Sequence, residues 1–485
     1  MSFNSLQFLI FFPSVVAIYF IIPHKFRWVL LLISSYYFYM SWKPEYVILI
    51  MFSTLVDYIL GIQIYKAKIP KAKKILLSIS FLVNLGLLFT FKYFNFFSDS
   101  FRQALSLFSI PFNPLTLKVL LPVGISFYTF QSLGYIIDVY RAKIKPERHL
   151  GIFAVFISFF PQLVAGPIER AGNLLPQFLK KQYFGYQRLA AGLKIMLWGF
   201  FQKVVIADNL AVVVDKVYDN VTDSTGIPLI LATVFFAFQI FCDFAGYSNI
   251  AIGAAKIMGI DLMTNFKRPY FASSIADFWR RWHISLMSWF KDYLYIPLGG
   301  NRVPLPRWYL NLMVVFIVSG LWHGASWTFV IWGALNGFYL VFEAATAKFK
   351  DGIAKRLMLD KFPKIQNIIQ IGITFALVNI GWIFFRANSL SDAFYVVTHL
   401  FSNISLNIFN ISGDDIGLGW AGLIIALSSL LIMESVHLMQ ERGRGIRQFL
   451  SAKPAAIRWS AYLAAIILIL MFGSFKSAAF IYFQF

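Results

Sequence analysis

Apolar runs long enough to cross a bilayer recur from one end of this 485-residue chain to the other, and they constrain its fold more than any motif does. Crossing an apolar core of ~30 Å takes about 20 predominantly apolar residues in a helix. Candidate segments lie near 6–22, 27–42, 45–64, 74–96, 116–138, 150–166, 186–210, 228–254, 309–345, 366–386, 418–438 and 457–474. The 309–345 run is too long for one crossing and reads as an out-and-back pair. The expected fold is an all-α polytopic membrane protein with about 11–13 transmembrane or re-entrant helices.

Composition agrees. Only 13% of residues are charged and 59% are hydrophobic, with a mean hydropathy of +0.68. A soluble domain carries roughly 25% charged residues, and no soluble core could hide this much apolar surface. Leu6 to Ile22 is followed by Pro23, His24 and Lys25 without a small-residue cleavage site, so it reads as a retained helix rather than a signal peptide. The net charge of +21 resides in short loops between apolar runs. That is the pattern of a membrane protein facing anionic lipid, and it argues against a nucleic-acid partner. The lone cysteine, Cys242, excludes an intrachain disulfide and lies in an apolar run, as an inert thiol does. There is no internal repeat and no soluble domain, so residues 1–485 are expected to form one membrane-embedded unit.

The basic residues give an orientation. Lys66, Lys68, Lys71, Lys73 and Lys74 form one cluster; Arg141, Lys143, Lys145 and Arg148 a second; Lys348, Lys350, Lys355, Arg356, Lys361 and Lys364 a third; and Arg442, Arg444, Arg447 and Lys453 a fourth. Placing all four in the cytoplasm puts both termini outside. It also requires 150–166 to be re-entrant and puts Asp215, Asp219 and Asp223 outside. Residues 256–308 are too polar to span and are expected to form a cytoplasmic-side interfacial or re-entrant segment. Ser274 and Asp277 open it as a capping box does. Ile275, Phe278, Trp282, Leu286, Trp289 and Tyr293 then recur at helical spacing, predicting one helix lying in the interface.

Two histidines are candidates to carry chemistry. His323 lies deep in an apolar stretch, where ionisable groups are costly and usually functional. Imidazole can take a proton from a hydroxyl and return it to a leaving group. The residues alone leave His323 either catalytic or a structural histidine bonded across helices. Gly320 and Gly324 leave one helix face without bulk, open to a thin substrate arm or to another helix. His283 lies at the margin of the aromatic stripe, beside Arg280 and Arg281. The arginine pair could bind a donor phosphate or meet lipid headgroups. Gln131, Tyr135 and Asp138 share one helix face, as do Gln239, Asp243 and Tyr247. Each stripe either lines a tunnel, with Trp282 and Trp322 as further lining, or forms a structural network. No His/Cys cluster has metal-ligand spacing, so no metal is expected.

Six stretches and an ending bring in a resemblance. They are Leu121-Pro-Val-Gly-Ile-Ser-Phe-Tyr-Thr-Phe-Gln131, Phe160-Pro-Gln-Leu-Val-Ala-Gly-Pro-Ile-Glu-Arg170, Asp243-Phe-Ala-Gly-Tyr-Ser-Asn249, Asp277-Phe-Trp-Arg-Arg-Trp-His-Ile-Ser285, Tyr295-Ile-Pro-Leu-Gly-Gly-Asn-Arg302, Leu321-Trp-His-Gly324 and the terminal Phe480-Ile-Tyr-Phe-Gln-Phe485. In this order they resemble the membrane-bound O-acyltransferases (MBOAT family), above all the bacterial alginate O-acetyltransferase branch. Asn249 stands where many members carry Asp, so no role is carried over to it.

The resemblance implies a central funnel or tunnel, His323 as catalytic histidine and His283 as the second active-site residue. It implies an acyltransferase in a bacterial cytoplasmic (inner) membrane. Such an enzyme moves acetyl from a cytoplasmic thioester, acetyl-CoA or an acyl carrier protein, with no tightly bound cofactor. The expected partner is a periplasmic or extracellular acetyltransferase of the same polysaccharide pathway; the polymer stays open among alginate, cellulose, peptidoglycan and other glycans. A polytopic transporter is the alternative from a different class. The aromatic tail, 475–485, is expected at the outer face. Phe480, Phe483 and Phe485 would dock a partner there, and Tyr482 offers a hydroxyl that could relay the acyl group.

Overall fold

A computed structural model of the chain describes residues 1–164, 166–403, 417–475 and 480–481, and every α, 3-10 or π element among them is helical, with no strand. Nine helices among the described residues are long and apolar enough to cross a membrane, and the chain is a multi-pass membrane protein. The succession begins α1 Leu6–Ile21, α2 Arg27–Met40, α3 Val47–Lys66, α4 Pro70–Leu88, α5 Phe94–Ser106, α6 Ile125–Tyr140, α7 Leu150–Ser158, α8 Phe160–Leu163 and α9 Ala171–Leu179. It continues α10 Tyr186–Phe200, α11 Asp208–Tyr218, α12 Ile227–Ile257, α13 Ile275–Arg281, α14 Ile284–Phe290, α15 Leu305–His323 and α16 Trp327–Ala345. The last are α17 Ala347–Arg356, α18 Pro363–Arg386, α19 Leu390–His399, α20 Trp420–Glu441, α21 Ile446–Ser451 and α22 Ala455–Phe472.

Local chemistry sets the helix starts. Pro lies in the first turn of α4, α12, α15 and α18, where its missing N–H is not needed. Serine hydroxyls accept from the first turn of α1, α13, α16 and α19. Three π-turns, Phe89–Tyr93, Phe201–Ala207 and Lys291–Tyr295, interrupt the regular ladder. The first two carry Lys92 and Lys203 into the interior, in keeping with the frequent use of π-bulges at functional sites.

Successive crossings gather the basic loops on one face: those after α1, α3, α6 and α9, the 258–304 segment, and the loops before α18 and α22. Cross-contacts respect this. On the basic face, His24 meets the Leu179 carbonyl, Arg27 donates to the Gln182 carbonyl, and Arg268 and Arg281 pair with Glu441. On the opposite face, Arg386 pairs with Asp215 and Asp219, and Tyr46 donates to the Leu120 carbonyl. The bundle's centre is α10 against α12. A Cβ on Gly192 or Gly199 would lie 2.6 Å from the carbonyl of Gly253 or Gly246, so the glycines let these backbones touch.

Two sequence expectations change. The 116–138 run does not begin a helix until Ile125, because Pro122 and Gly124, at φ +74°, turn the chain first. The aromatic stripe over 275–293 is not one interfacial helix. It breaks at His283 into α13, α14 and a π-turn, and Phe278, Trp282 and Leu286 are buried in the core.

Candidate active site

His323 is the last residue of α15 and is 2% exposed. Helix C-termini leave carbonyls without intrahelical donors. Here Lys92 Nζ donates to the carbonyls of Trp322 (2.8 Å) and His323 (2.9 Å), and Tyr93 Oη donates to that of Leu321 (2.8 Å). A cation at a helix C-terminus also complements its dipole. The imidazole sits in an aromatic cage, its ring centre 5.0 Å from Trp322, 4.9 Å from Trp332 and 5.4 Å from Phe385. The bulk-free face is filled: a Cβ on Gly320 would strike the Phe329 carbonyl and one on Gly324 the Phe329 ring. Helix α16, not a substrate arm, occupies it.

His283 lies 6.4 Å from His323 between ring centres. Its backbone is left-handed (φ +44°, ψ +52°), an uncommon state for a residue with a Cβ. The cost is of order 1–3 kcal/mol and persists only where surroundings impose it. Asn265 imposes it. Its carbonyl accepts from Ile284 N–H (2.9 Å), and its Oδ1 accepts from Ser285 N–H (3.3 Å) and Ser285 Oγ (3.0 Å) and lies 3.2 Å from His283 Nδ1. Because a backbone N–H must donate, Oδ1 is oriented as the acceptor, and a neutral His283 then carries its proton on Nδ1. Nε2 is left as the lone-pair side, suited to accept a proton rather than to donate to an oxyanion. The loop bearing Asn265 is clamped by Glu169, which accepts from Met263 N–H (2.6 Å) and Asn173 (2.9 Å); burial pushes the Glu169 carboxyl above its ordinary pKa.

Trp322 stands beside both histidines, 5.9 Å from His283, and its buried Nε1–H has no acceptor among the described residues. A buried donor without an acceptor is costly, and this one is open to a group bound beside the histidines. A pocket of about 40 Å³ reaches His323, Trp322 and Lys92 from the opposite face, past Trp42 and Leu121–Gly124. On the basic side a cavity of about 430 Å³ is lined by Arg280, Lys291, Trp279 and Phe316.

The remaining predicted residues divide. Arg280 is exposed at that cavity, whereas Arg281 is engaged by Asp277 (2.9 Å) and Glu441 (2.6 Å). Gln131 donates to the Phe156 carbonyl and accepts from Gln162, and Asp138 accepts from Tyr293 (2.7 Å), so both tie α6 to its neighbours. Trp282 packs on Phe278 and Trp382. Gln239, Asp243 and Tyr247 are buried on α12. Asp243 and Asp208 share Lys203, at 2.5 and 2.8 Å, a buried ion cluster the sequence reading did not single out. Lys92 and Asn265 were likewise missed. The only signal for the lysines was a cation within an apolar run.

After α22 the chain turns back into the bundle. Ser474 N–H donates to the Val204 carbonyl (2.9 Å), and Ile481 N–H to Asp243 Oδ2 (2.7 Å). Phe480 is fully buried against Tyr247 (4.7 Å) and Phe244 (5.6 Å), and Phe244 meets His283 edge-on at 4.6 Å. Phe480 thus packs inside the protein, not on an outer docking face. Tyr482, Phe483 and Phe485 lie outside the described residues.

Residues 149–353 match the family model of the membrane-bound O-acyltransferases. The chain is 36% identical to a probable alginate O-acetylase AlgI of Pseudomonas putida across the whole of both chains. It is 39% identical to the protein of that name from Pseudomonas aeruginosa over 89% of this chain and 82% of that one. It is also 38% identical to a peptidoglycan O-acetyltransferase of Helicobacter pylori, over 76% and 72% respectively.

Proposed function

The chain belongs to the membrane-bound O-acyltransferase family, and from that premise we propose that it moves an acetyl group from a cytoplasmic thioester to an acceptor at the outer face, for O-acetylation of a cell-envelope or extracellular polysaccharide. The observation that carries the reading is the pair of buried imidazoles, His323 and His283, 6.4 Å apart, with one cavity on the basic face and a pocket reaching His323 from the other. The relatives named for alginate and peptidoglycan O-acetylation support an acetyl group and a polysaccharide.

In this mechanism His323 is the general base. It takes the proton of the acceptor hydroxyl as that oxygen attacks the thioester carbonyl. The tetrahedral oxyanion is received by Trp322 Nε1–H, a buried donor without an acceptor among the described residues. The C–S bond then breaks, and the proton on His323 passes to the leaving thiolate, which regenerates the imidazole. His283, in the tautomer that Asn265 favours, can accept through Nε2 only from a second donor, such as a neighbouring hydroxyl of a sugar acceptor, while His323 takes the reacting proton. The aromatic cage excludes water and so guards the thioester from hydrolysis. Arg280 and Lys291 would meet the donor's phosphates, whether of coenzyme A or of a carrier protein's prosthetic arm.

The basic face is the cytoplasmic one under the charge rule, in a bacterial inner membrane with both termini outside. A periplasmic or extracellular acetyltransferase would take over the acetyl group at the opposite face. The proposed relay makes Tyr482 the first acceptor. Its hydroxyl would be acetylated at His323 and would pass the acetyl to the partner's nucleophile. The test is the full chain in oriented vesicles with radiolabelled acetyl-CoA, or an acetylated carrier protein, supplied to one face. Label should reach the protein or an added acceptor only from the basic face, and Tyr482→Phe should stop transfer with insertion intact. Transfer driven only from the opposite face would overturn the direction, and unchanged transfer in Tyr482→Phe would remove the relay.

A further inference from the structure

A cavity of about 650 Å³ lies apart from the catalytic centre. It is a wedge between α10 and α12 on one side and α20 and α22 on the other, closed toward the basic face by residues 264–268 and α21. Along α10 and into the π-turn that follows, it runs from Lys194 to Gln202, eight residues or roughly 12 Å of helix rise. Its volume lies in the ~300–1,000 Å³ range of pockets that enclose a small ligand. The shaft is mainly apolar, with Trp198, Phe201, Ile252, Ile432, Ala465 and Leu468, and Gln202, Asn249 and His437 add polar groups to its wall. Its mouth is cationic. Lys194 lies over the Tyr462 ring (5.0 Å), and neither Lys194 nor Lys267 forms an ion pair with any described carboxylate. Arg268 adds a third positive charge, shared with Glu441.

An apolar shaft under a basic rim suits a molecule with an anionic head and a hydrocarbon arm. Two sources exist in a membrane enzyme of this class, the donor's pantetheine arm and a phospholipid. The lining decides between them. Neither His283 nor His323 borders the wedge; Asn265 and Phe266 stand between, so an arm lying there does not bring its end to the reacting atoms. The outer wall, α22, presents Leu463, Ile467 and Leu470 to the surroundings as lipid-facing residues do. The wedge thus lies one helix away from the lipid-facing surface, and basic pockets between helices on the cytoplasmic side take anionic headgroups.

We propose that this wedge holds one anionic phospholipid, with an acyl chain between α10 and α22 and its phosphate on Lys194 and Lys267. The same lipid backs Asn265, whose Oδ1 and carbonyl hold His283 in its left-handed conformation, so occupancy supports the active-site geometry from behind.

The test is native mass spectrometry of the full chain, delipidated in detergent and offered phosphatidylglycerol or phosphatidylcholine. The wild type should retain one phosphatidylglycerol in preference to phosphatidylcholine. Lys194→Gln with Lys267→Gln should reduce that preference by roughly ten- to thirtyfold. Ala465→Trp, which fills the shaft, should abolish retention and with it the thermal stabilisation that added phosphatidylglycerol gives the wild type. Equal retention of the two lipids, or none, would overturn the proposal. Displacement of the lipid by coenzyme A would overturn it too, by assigning the wedge to the donor. Binding is read without acyl transfer, so failure here leaves the enzymatic reading standing.

Discussion

Replacing Asn265 by alanine should separate a histidine that merely fills space from one held for chemistry. Asn265 Oδ1 serves Ser285 N–H, Ser285 Oγ and His283 Nδ1. The variant leaves a buried donor unmet, at ~1–3 kcal/mol. It also loosens a left-handed residue that costs about 1–3 kcal/mol to maintain. The Asn265 carbonyl still accepts from Ile284 N–H, so the loop is weakened rather than lost. If ~2 kcal/mol of the support for the reactive orientation disappears, its population falls about thirtyfold, since each 1.4 kcal/mol is a factor of ten. The loss should fall on kcat for acyl transfer, within the ~10–100-fold range of groups that orient a functional side chain. KM for the donor should change little, because Arg280 and Lys291 are untouched. Asn265→Asp keeps the acceptor toward Nδ1–H and should recover most of the rate. The assay is steady-state transfer of radiolabelled acetyl in vesicles, beside a thermal melt. A folded Asn265→Ala enzyme with wild-type kcat would refute the reasoning that His283 acts through an imposed tautomer.

Two further outcomes follow from the rest of the structure. Lys203→Met should lower stability in detergent by ~3–5 kcal/mol, because it leaves the carboxylates of Asp208 and Asp243 buried without their cation; a melting temperature equal to wild type would show that the cluster is not ionised. A cysteine placed at position 68 or 69, between α3 and α4, in a chain whose native Cys242 is replaced, should stay unlabelled by impermeant thiol reagents in intact cells, and labelling without permeabilisation would invert the topology.

Much of the architecture was legible because lipid enforces it: the long runs 45–64, 228–254 and 366–386 each became a helix of similar extent. His323 was legible for the same reason, an ionisable side chain in a stretch that should carry none. What escaped was long-range. The 275–293 stripe has flawless helical spacing, yet it breaks at His283 because Asn265, 18 residues earlier, captures the chain there. The Lys203–Asp243 contact joins residues 40 positions apart, and nothing local to either announces it. Phe480 read as part of an exposed aromatic tail, since an aromatic terminus suits the headgroup zone. The structure buries it because Asp243 offers Ile481 N–H an acceptor inside.

The measurement that bears most directly on the central claim is acetyl transfer by His323→Ala in the purified, reconstituted full chain, with His323→Gln beside it to preserve bulk. The cage and the Lys92 contacts to backbone carbonyls remain in both, so both should insert and melt like the wild type. Transfer from the thioester should fall ~10²–10⁴-fold, as expected for removal of a general base. Wild-type transfer in either folded variant would contradict the assignment of His323 as the base.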